Sequence, residues 1–178
     1  MTRIAERPLL LMAFLTATAC SIHVVENLVM RLLPVPFLRL GLSNVVVLYL
    51  ILQHKPMSAL LINVTKAVVG GAVTFTLLSP STLLSLGGGT AAVLAMYLAF
   101  KSGFGFSEFG ISVTGAIAHN LAQLYLVQKL ILPQARVFML TPLLILLGLI
   151  SGMIIAWLML LVQSKYDRSR LTQNEANQ

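Results

Sequence analysis

A lysine at position 66 stands inside an otherwise apolar run, LLINVTKAVVGGAVTFTLL, that is long enough to cross a membrane. A charged side chain at bilayer depth is costly, so it is rare and usually faces a protein interior or a water-filled cavity. Asn63, Lys66 and Gly70 recur at i, i+3 and i+7 and therefore share one side of a helix. The pattern predicts an interior Lys66 that binds a solute, pairs with Glu26, or does both in alternation.

Three polar residues lie together near the end of the first apolar segment. His23, Glu26 and Asn27 fall at i, i+3 and i+4, so they share a helix face. Glu26 either lines a cavity with its neighbours or pairs with Arg31 at the membrane interface. Both interpretations place a carboxylate in the predicted outer half of the protein.

A polar strip also interrupts the fifth apolar segment. His119 and Gln123 are four residues apart, and Asn120 lies beside His119. Buried imidazole and amide groups need hydrogen-bond partners. Those partners are either neighbouring helices, in which case the strip holds helices together, or a bound solute.

Small and polar residues open the second apolar segment, after a connection that Pro34 and Pro36 make stiff and extended. Ser43 and Asn44 are each suited to cap a helix, and Asn44 alternatively contributes to a pocket. Since polar positions of four segments converge at middle or outer depth, we predict an outward-facing solute pocket. Its predicted binding residues are Glu26, Asn27, Asn44, Lys66, His119, Asn120 and Gln123.

The composition requires a membrane to position these residues. The chain is 58% hydrophobic and only 10% charged, with a mean hydropathy of +0.93, values outside the range of soluble domains. We predict an all-α, polytopic bundle of six membrane-spanning helices in the plasma (inner) membrane. The predicted spans are residues 9–30, 40–54, 57–78, 86–101, 107–131 and 138–162.

Lysine and arginine predict the orientation of the bundle. If both termini are cytoplasmic, the inner connections and termini carry more cations than the outer connections, as the positive-inside rule requires. The inner set is Arg3, Arg7, Lys55, Lys101, Lys165, Arg168 and Arg170, and the outer set is Arg31, Arg39, Lys129 and Arg136. The chain then divides into a membrane domain, residues 1–164, and a polar tail, residues 165–178, that we expect to be disordered.

The first segment allows two further interpretations. Ala13 and Ala17, with Ser21 four residues on, form a ridge of small residues that lets another helix approach closely. That helix belongs either to this chain or to a separate membrane partner. The segment up to Cys20 also has features of a cleaved signal peptide, although apolar residues continue well beyond it.

Several function classes are disfavoured by the sequence. It lacks a zinc-binding Cys/His pattern, a nucleophile motif and a phosphate-binding loop, and its five acidic residues include no adjacent pair. Gly87-Gly88-Gly89 lacks the Lys-Ser/Thr sequel of a phosphate loop, so it packs helices, bends a loop or forms a gate. The net charge of +7 is scattered among apolar spans rather than gathered for nucleic acid. We expect no catalysis, metal, cofactor or nucleic-acid partner.

The segments PVPFLRLGLSNVVVLYL, KAVVGG, GGG and FGISVTGAIAHNLAQL resemble the heptaprenyl diphosphate synthase component I family, also called the Gx transporter family. The resemblance covers roughly residues 8–162 and is most specific in LGLSN, 40–44, and GAIAHN, 115–120. That family is similar to the substrate-binding S components of energy-coupling factor (ECF) transporters.

This resemblance implies a six-helix subunit with cytoplasmic termini that holds a small molecule near its outer face. It implies that the Ala13–Ala17 ridge docks onto a transmembrane coupling subunit, that separate ATPases supply energy, and that the subunit topples to carry its pocket inward. The four cations predicted on the outer side favour a substrate with a carboxylate or a phosphate. The family name implies an alternative, an auxiliary membrane role in polyprenyl diphosphate synthesis, although the chain lacks the aspartate-rich motif of such synthases.

Overall fold

The computed structural model describes the backbone of residues 2–30, 41–134 and 136–175, and the side chains of residues 9–29, 41–134 and 136–164. Throughout the described backbone the regular structure is helical, which confirms the all-α prediction. A π-helical turn, Val127–Ile131, follows the fifth helix, and a 3-10 turn, Val137–Leu140, precedes the sixth. The α-helices are α1 (Thr2–Met30), α2 (Asn44–Leu52), α3 (Pro56–Val73), α4 (Pro80–Lys101), α5 (Glu108–Leu126) and α6 (Thr141–Glu175).

Four stretches of the described chain are long and apolar enough to cross a membrane. They are Leu9–Val29, Pro56–Val73, Pro80–Lys101 and Val137–Ser164. Large apolar side chains on their outward faces are exposed, among them Phe14, Leu61, Leu98 and Trp157, as expected where lipid is the solvent. The chain is therefore a membrane protein by its architecture, while the predicted count of six spans and the orientation of the termini stay predictions.

The second helix is much shorter than the span predicted at 40–54. α2 has nine residues, or about 14 Å at 1.5 Å per residue, against a hydrocarbon core of roughly 30 Å. It ends because Lys55 precedes Pro56, which disfavours helical backbone at Lys55, and because His54 adopts a positive φ of 58°. α2 is nevertheless central, since Val47, Leu48 and Ile51 are almost fully buried against α3, α4 and α6.

Side-chain contacts bring the C-terminal parts of α1, α3 and α5 together with the starts of α2, α4 and α6 at one end of the bundle. We call this end the site end. Residues 31–40, including Pro34, Pro36, Arg31 and Arg39, lie outside the described residues, so the predicted stiff connection there stays a prediction. The α3–α4 turn is tightly hydrogen-bonded, with the Thr82 and Ser79 hydroxyls each donating to the Thr76 carbonyl at 2.7 Å.

Helix α5 packs closely against α6 through two glycines that the sequence analysis did not single out. A Cβ atom at Gly152 would come within 2.6 Å of Val113 Cα, and one at Gly148 within 3.1 Å of Ile117 Cα. Gly148 and Gly152 are four residues apart, the small-residue spacing that lets membrane helices approach at backbone distance. The Ser112 hydroxyl then donates to the Gly152 carbonyl at 2.8 Å.

The sixth helix continues through most of the segment expected to be a disordered tail. α6 runs to Glu175, because residues 165–175 contain no proline or glycine to stop it and each added residue extends an existing helix at little cost. The division of the chain at residue 164 stays a prediction. At the start of α5, the Ser107 hydroxyl caps the helix by accepting a hydrogen bond from Gly110 N–H at 3.3 Å.

Candidate functional site

A small polar cavity lies at the site end. It is lined by residues of α1, α3, α4 and α5 and of the segment that leads into α2, namely His23, Glu26, Gly41, Ser43, Asn44, Lys66, Ser85 and His119. The space open to the centre of a water molecule is about 10 Å³, roughly what a single ordered water needs. The cavity in this conformation is therefore small, and a metabolite enters only if its walls rearrange.

Lys66 lies at the centre of the polar contacts in this cavity. Its side chain is 2% exposed. The ammonium donates to Ser43 Oγ at 3.0 Å and to Asn44 Oδ1 at 2.6 Å. Two neutral oxygens thus replace part of its lost hydration, which is how a buried cation is tolerated. Ser43 precedes α2 but makes no side-chain capping bond, so its hydroxyl serves Lys66 instead of the helix end.

Glu26 fixes the position of Gly41, which lies just before α2. Its carboxylate, 6% exposed, accepts a hydrogen bond from Gly41 N–H. Gly41 has a φ of +69°, a left-handed conformation that glycine adopts without strain. A Cβ there would come within 2.9 Å of Asn44 Nδ2, so the missing side chain also leaves room for the Asn44 amide. Glu26, Gly41, Asn44 and Lys66 therefore form one continuous chain of contacts.

The two cavity histidines each lie against a glycine of a neighbouring helix. A Cβ atom at Gly70 in α3 would come within 2.5 Å of His23 Cδ2, and one at Gly88 in α4 within 3.1 Å of His119 Cε1. His23 Nε2 is also 3.2 Å from the Ser85 hydroxyl. The glycines thus let both imidazole rings approach helix backbones, which places them at the cavity wall.

The glycine triplet, 87–89, lies within the continuous helix α4. It therefore forms neither a bent loop nor a gate, and it packs closely against neighbouring helices, as the first of the three interpretations predicts. Gly87 packs against Leu126, Gly88 against Gln123 and His119, and Gly89 against Asn63. Asn63 Nδ2 is 3.4 Å from Thr90 Oγ1, and its Oδ1 has no hydrogen-bond partner among the described residues. A single turn of α4 therefore receives polar side chains from both α3 and α5.

The structure brings four of the seven predicted binding residues to the cavity wall: Glu26, Asn44, Lys66 and His119. Gln123 is buried beside them and reaches the Leu84 carbonyl at 3.4 Å. Asn120 Nδ2 donates to the Leu144 carbonyl at 3.0 Å, so it joins α5 to α6. Asn27 is partly buried and lies near Gly70 rather than in the cavity lining.

Gly41 and three lining residues with polar side chains were not predicted as binding residues. His23 shares the helix face of Glu26, a signal that the sequence did contain. Ser43 was predicted to cap a helix. Ser85 was not predicted to bind, because a serine in an apolar segment is common and not costly. Among the described residues, no three His, Cys, Asp or Glu side chains are grouped as metal ligands would be.

The ridge of small residues on α1 faces outward. Ala13, Ala17 and Ser21 are exposed, as are Leu10 and Phe14 beside them. Of the two interpretations of this ridge, packing within the described part of the chain does not occur. The ridge is open to lipid or to a separate helix.

Comparison with known proteins identifies the family of this chain. The model of the heptaprenyl diphosphate synthase component I family matches residues 15–162, most of the chain. The chain belongs to this family. The resemblance predicted from its sequence segments is therefore confirmed. Comparison with curated proteins and with solved structures gave no significant match. In this member of the family, the matched region contains every residue of the cavity lining.

Proposed function

We propose that this chain is the substrate-binding membrane subunit, or S component, of an ECF-type uptake transporter. Its cargo is a small, anionic metabolite, and its energy comes from partner ATPases through a transmembrane coupling subunit. The observation that supports this most is the buried Lys66 within a cavity built by five helical segments at one end of an apolar bundle. A charge so placed is a functional site by default.

The cavity suits binding more than catalysis. Its walls combine one lysine, one glutamate, two histidines and hydroxyl or amide groups, which can recognise a polar solute from several sides. Glu26 and Lys66 are each engaged with the segment that begins α2. In this proposal the chain binds its solute without transforming it and needs no cofactor, and opening of that segment admits the solute.

The exposed ridge on α1 supports a membrane partner. Alanines at i and i+4 let a second helix pack closely, and neither alanine is covered by the described part of this chain. We assign the ridge to the coupling subunit. Movement of the whole small subunit against that partner would then carry the cavity across the membrane.

Copurification tests this proposal directly. The tagged full-length chain is isolated from its native membrane in mild detergent, and the associated proteins are identified by mass spectrometry. We expect a coupling protein and ATPase subunits. Ala13→Trp should lower their recovery at least tenfold, because the indole fills the ridge, whereas Phe14→Trp, on an exposed neighbouring face, should not. Equal recovery with Ala13→Trp would refute the ridge, and absence of ATPases from the wild type would refute the transporter.

The family description supports a second candidate, an auxiliary membrane role in polyprenyl diphosphate synthesis. Synthases of that kind would hold diphosphate through magnesium and several carboxylates. Asp167 is the only aspartate of the sequence, and it lies beyond the segment that the family model matches. Recovery of a soluble prenyl synthase without ATPases in the same experiment would favour this role over transport.

A further inference from the structure

The two oxygens that contact Lys66 come from consecutive residues at the start of α2. Ser43 Oγ lies 3.0 Å and Asn44 Oδ1 2.6 Å from Lys66 Nζ. All three residues are at most 2% exposed. An ammonium group donates up to three hydrogen bonds and accepts none. The chain itself thus supplies acceptor oxygens to Lys66.

Four backbone donors at the start of α2 are engaged within the chain. The N–H groups of Asn44, Val45 and Val46 donate to the carbonyl groups of Gly41, Leu42 and Ser43. Gly41 N–H donates to Glu26. Lys66 is the cation that the bundle directs at this segment.

We propose that a carboxylate of the transported solute replaces the Asn44 carboxamide as the acceptor for Lys66. This inference rests on the proposed transport function and names the chemical class of its substrate. In this conformation the Asn44 amide oxygen contacts Lys66 where a ligand carboxylate oxygen would lie. Solute binding replaces the planar Asn44 carboxamide with a planar carboxylate that carries a full charge. Charge-assisted hydrogen bonds are stronger than hydrogen bonds between neutral groups.

Charge and space favour a carboxylate over a phosphate. The described lining contains one lysine and one glutamate, and that glutamate already accepts Gly41 N–H. A phosphate monoester, with about −1.5 to −2 charges near neutral pH, would exceed what one lysine can neutralise. The cavity has room for about one water, so a planar carboxylate requires less rearrangement of its walls than a larger, tetrahedral phosphate does.

Two substitutions at position 44 should act in opposite directions. Asn44→Asp places the chain's own carboxylate on Lys66, so the variant should fold as the wild type does and exclude an acidic solute. Asn44→Ala removes the competing amide, so the variant should retain that solute at the wild-type level or above. Gln53→Glu, exposed after α2, adds the same net charge at the other end of the bundle and serves as the control.

The experiment loads each purified full-length variant with an aqueous metabolite extract of the host cells. After washing and denaturation, the released carboxylic acids are derivatised at the carboxyl group and quantified by mass spectrometry. We expect one acid from the wild type, Gln53→Glu and Asn44→Ala, and at least a tenfold loss from Asn44→Asp. Thermal unfolding of each variant in detergent shows that it is folded.

Several outcomes would overturn the inference. They are a released solute without a carboxyl group, no acid from the loaded wild type, undiminished binding by Asn44→Asp, or loss of binding by Asn44→Ala. The last result would make Asn44 a direct ligand contact instead of a stand-in for the solute. Copurified ATPases are scored in the same samples, so the transport assignment stands or falls separately from the carboxylate.

Discussion

His23 lies directly against Gly70, so that a Cβ atom at position 70 would come within 2.5 Å of the imidazole carbon Cδ2. The ring is 5% exposed and its Nε2 is 3.2 Å from the Ser85 hydroxyl. Three helices, α1, α3 and α4, therefore meet at one imidazole. Because the missing side chain of Gly70 makes this approach possible, the glycine positions a residue of the cavity wall without lining the cavity itself.

Gly70→Ala should destabilise the protein by forcing His23 off the α3 backbone. Inserting a methyl group into a packed interior costs about 1–3 kcal/mol, although alanine returns part of that through its better helix propensity. In a His23→Ala background the same substitution should cost little. A double-mutant cycle on thermal unfolding in detergent measures the coupling, which we expect at about 1–2 kcal/mol. Additive effects would mean that the contact does not constrain the ring.

The residues that the sequence located best are those that are costly in an apolar segment. Lys66, Glu26 and His119 could be assigned to an interior site because each must find partners away from lipid, wherever the helices lie. All three line the cavity. The polar residues that were placed less well, Asn27 and Asn120, are amides that helix–helix contacts can satisfy equally well. Asn120 does so through Leu144.

The parts that could not be predicted depend on which helices face one another. The sequence gives no partner for Gly70, Gly88 or Gly152, since a glycine in a membrane helix is tolerated on any face. Ser43 is suited to capping by residue type alone, and only the depth of Lys66 in the folded bundle turns its hydroxyl inward. The length of α2 was overestimated because its apolar residues continue to Leu52, and a buried short helix has the same composition as a membrane span.

Glu26 should control the opening of the segment before α2. Hydrogen bonds to charged groups contribute about 1.5–3 kcal/mol, so Glu26→Leu should speed hydrogen exchange at Gly41 by about tenfold or more. Glu26→Gln keeps an acceptor and should show a smaller increase. Exchange at the amides of Phe75, Thr76 and Ser79 in the α3–α4 turn is the internal control, because these N–H groups donate to the backbone carbonyls of Ala72, Gly71 and Thr76. Unchanged exchange at Gly41 in Glu26→Leu would contradict the assignment.

Two glycine-to-alanine substitutions should have different effects on the free energy of unfolding. At Gly152 the new Cβ would meet the Val113 backbone at 2.6 Å, which cannot move without separating α5 from α6. At Gly87 it would meet Leu126 Cδ1, the far end of a flexible side chain. We expect Gly152→Ala to lower the free energy of unfolding by about 1–3 kcal/mol, and Gly87→Ala to leave it unchanged or raise it by up to about 1 kcal/mol.

Thermal or denaturant unfolding of the two glycine variants in the same detergent decides this comparison. If both variants lose stability equally, α4 and α5 are packed as tightly as α5 and α6, and the small-residue seam of Gly148 and Gly152 has no special role. The comparison uses one residue type and one added methyl group, so differences in side-chain chemistry do not enter.

Lys66→Met should abolish binding in a protein that still folds. Methionine keeps the length of the side chain and removes the buried charge, but it leaves the buried Ser43 and Asn44 oxygens without their donor, which costs about 1–3 kcal/mol. We therefore expect a lowered melting temperature, with solute retention reduced at least tenfold, and a similar loss of binding for His119→Ala in a protein that still folds. Measured on the same preparations, normal retention by both variants would mean that the cavity is structural and that the solute binds elsewhere.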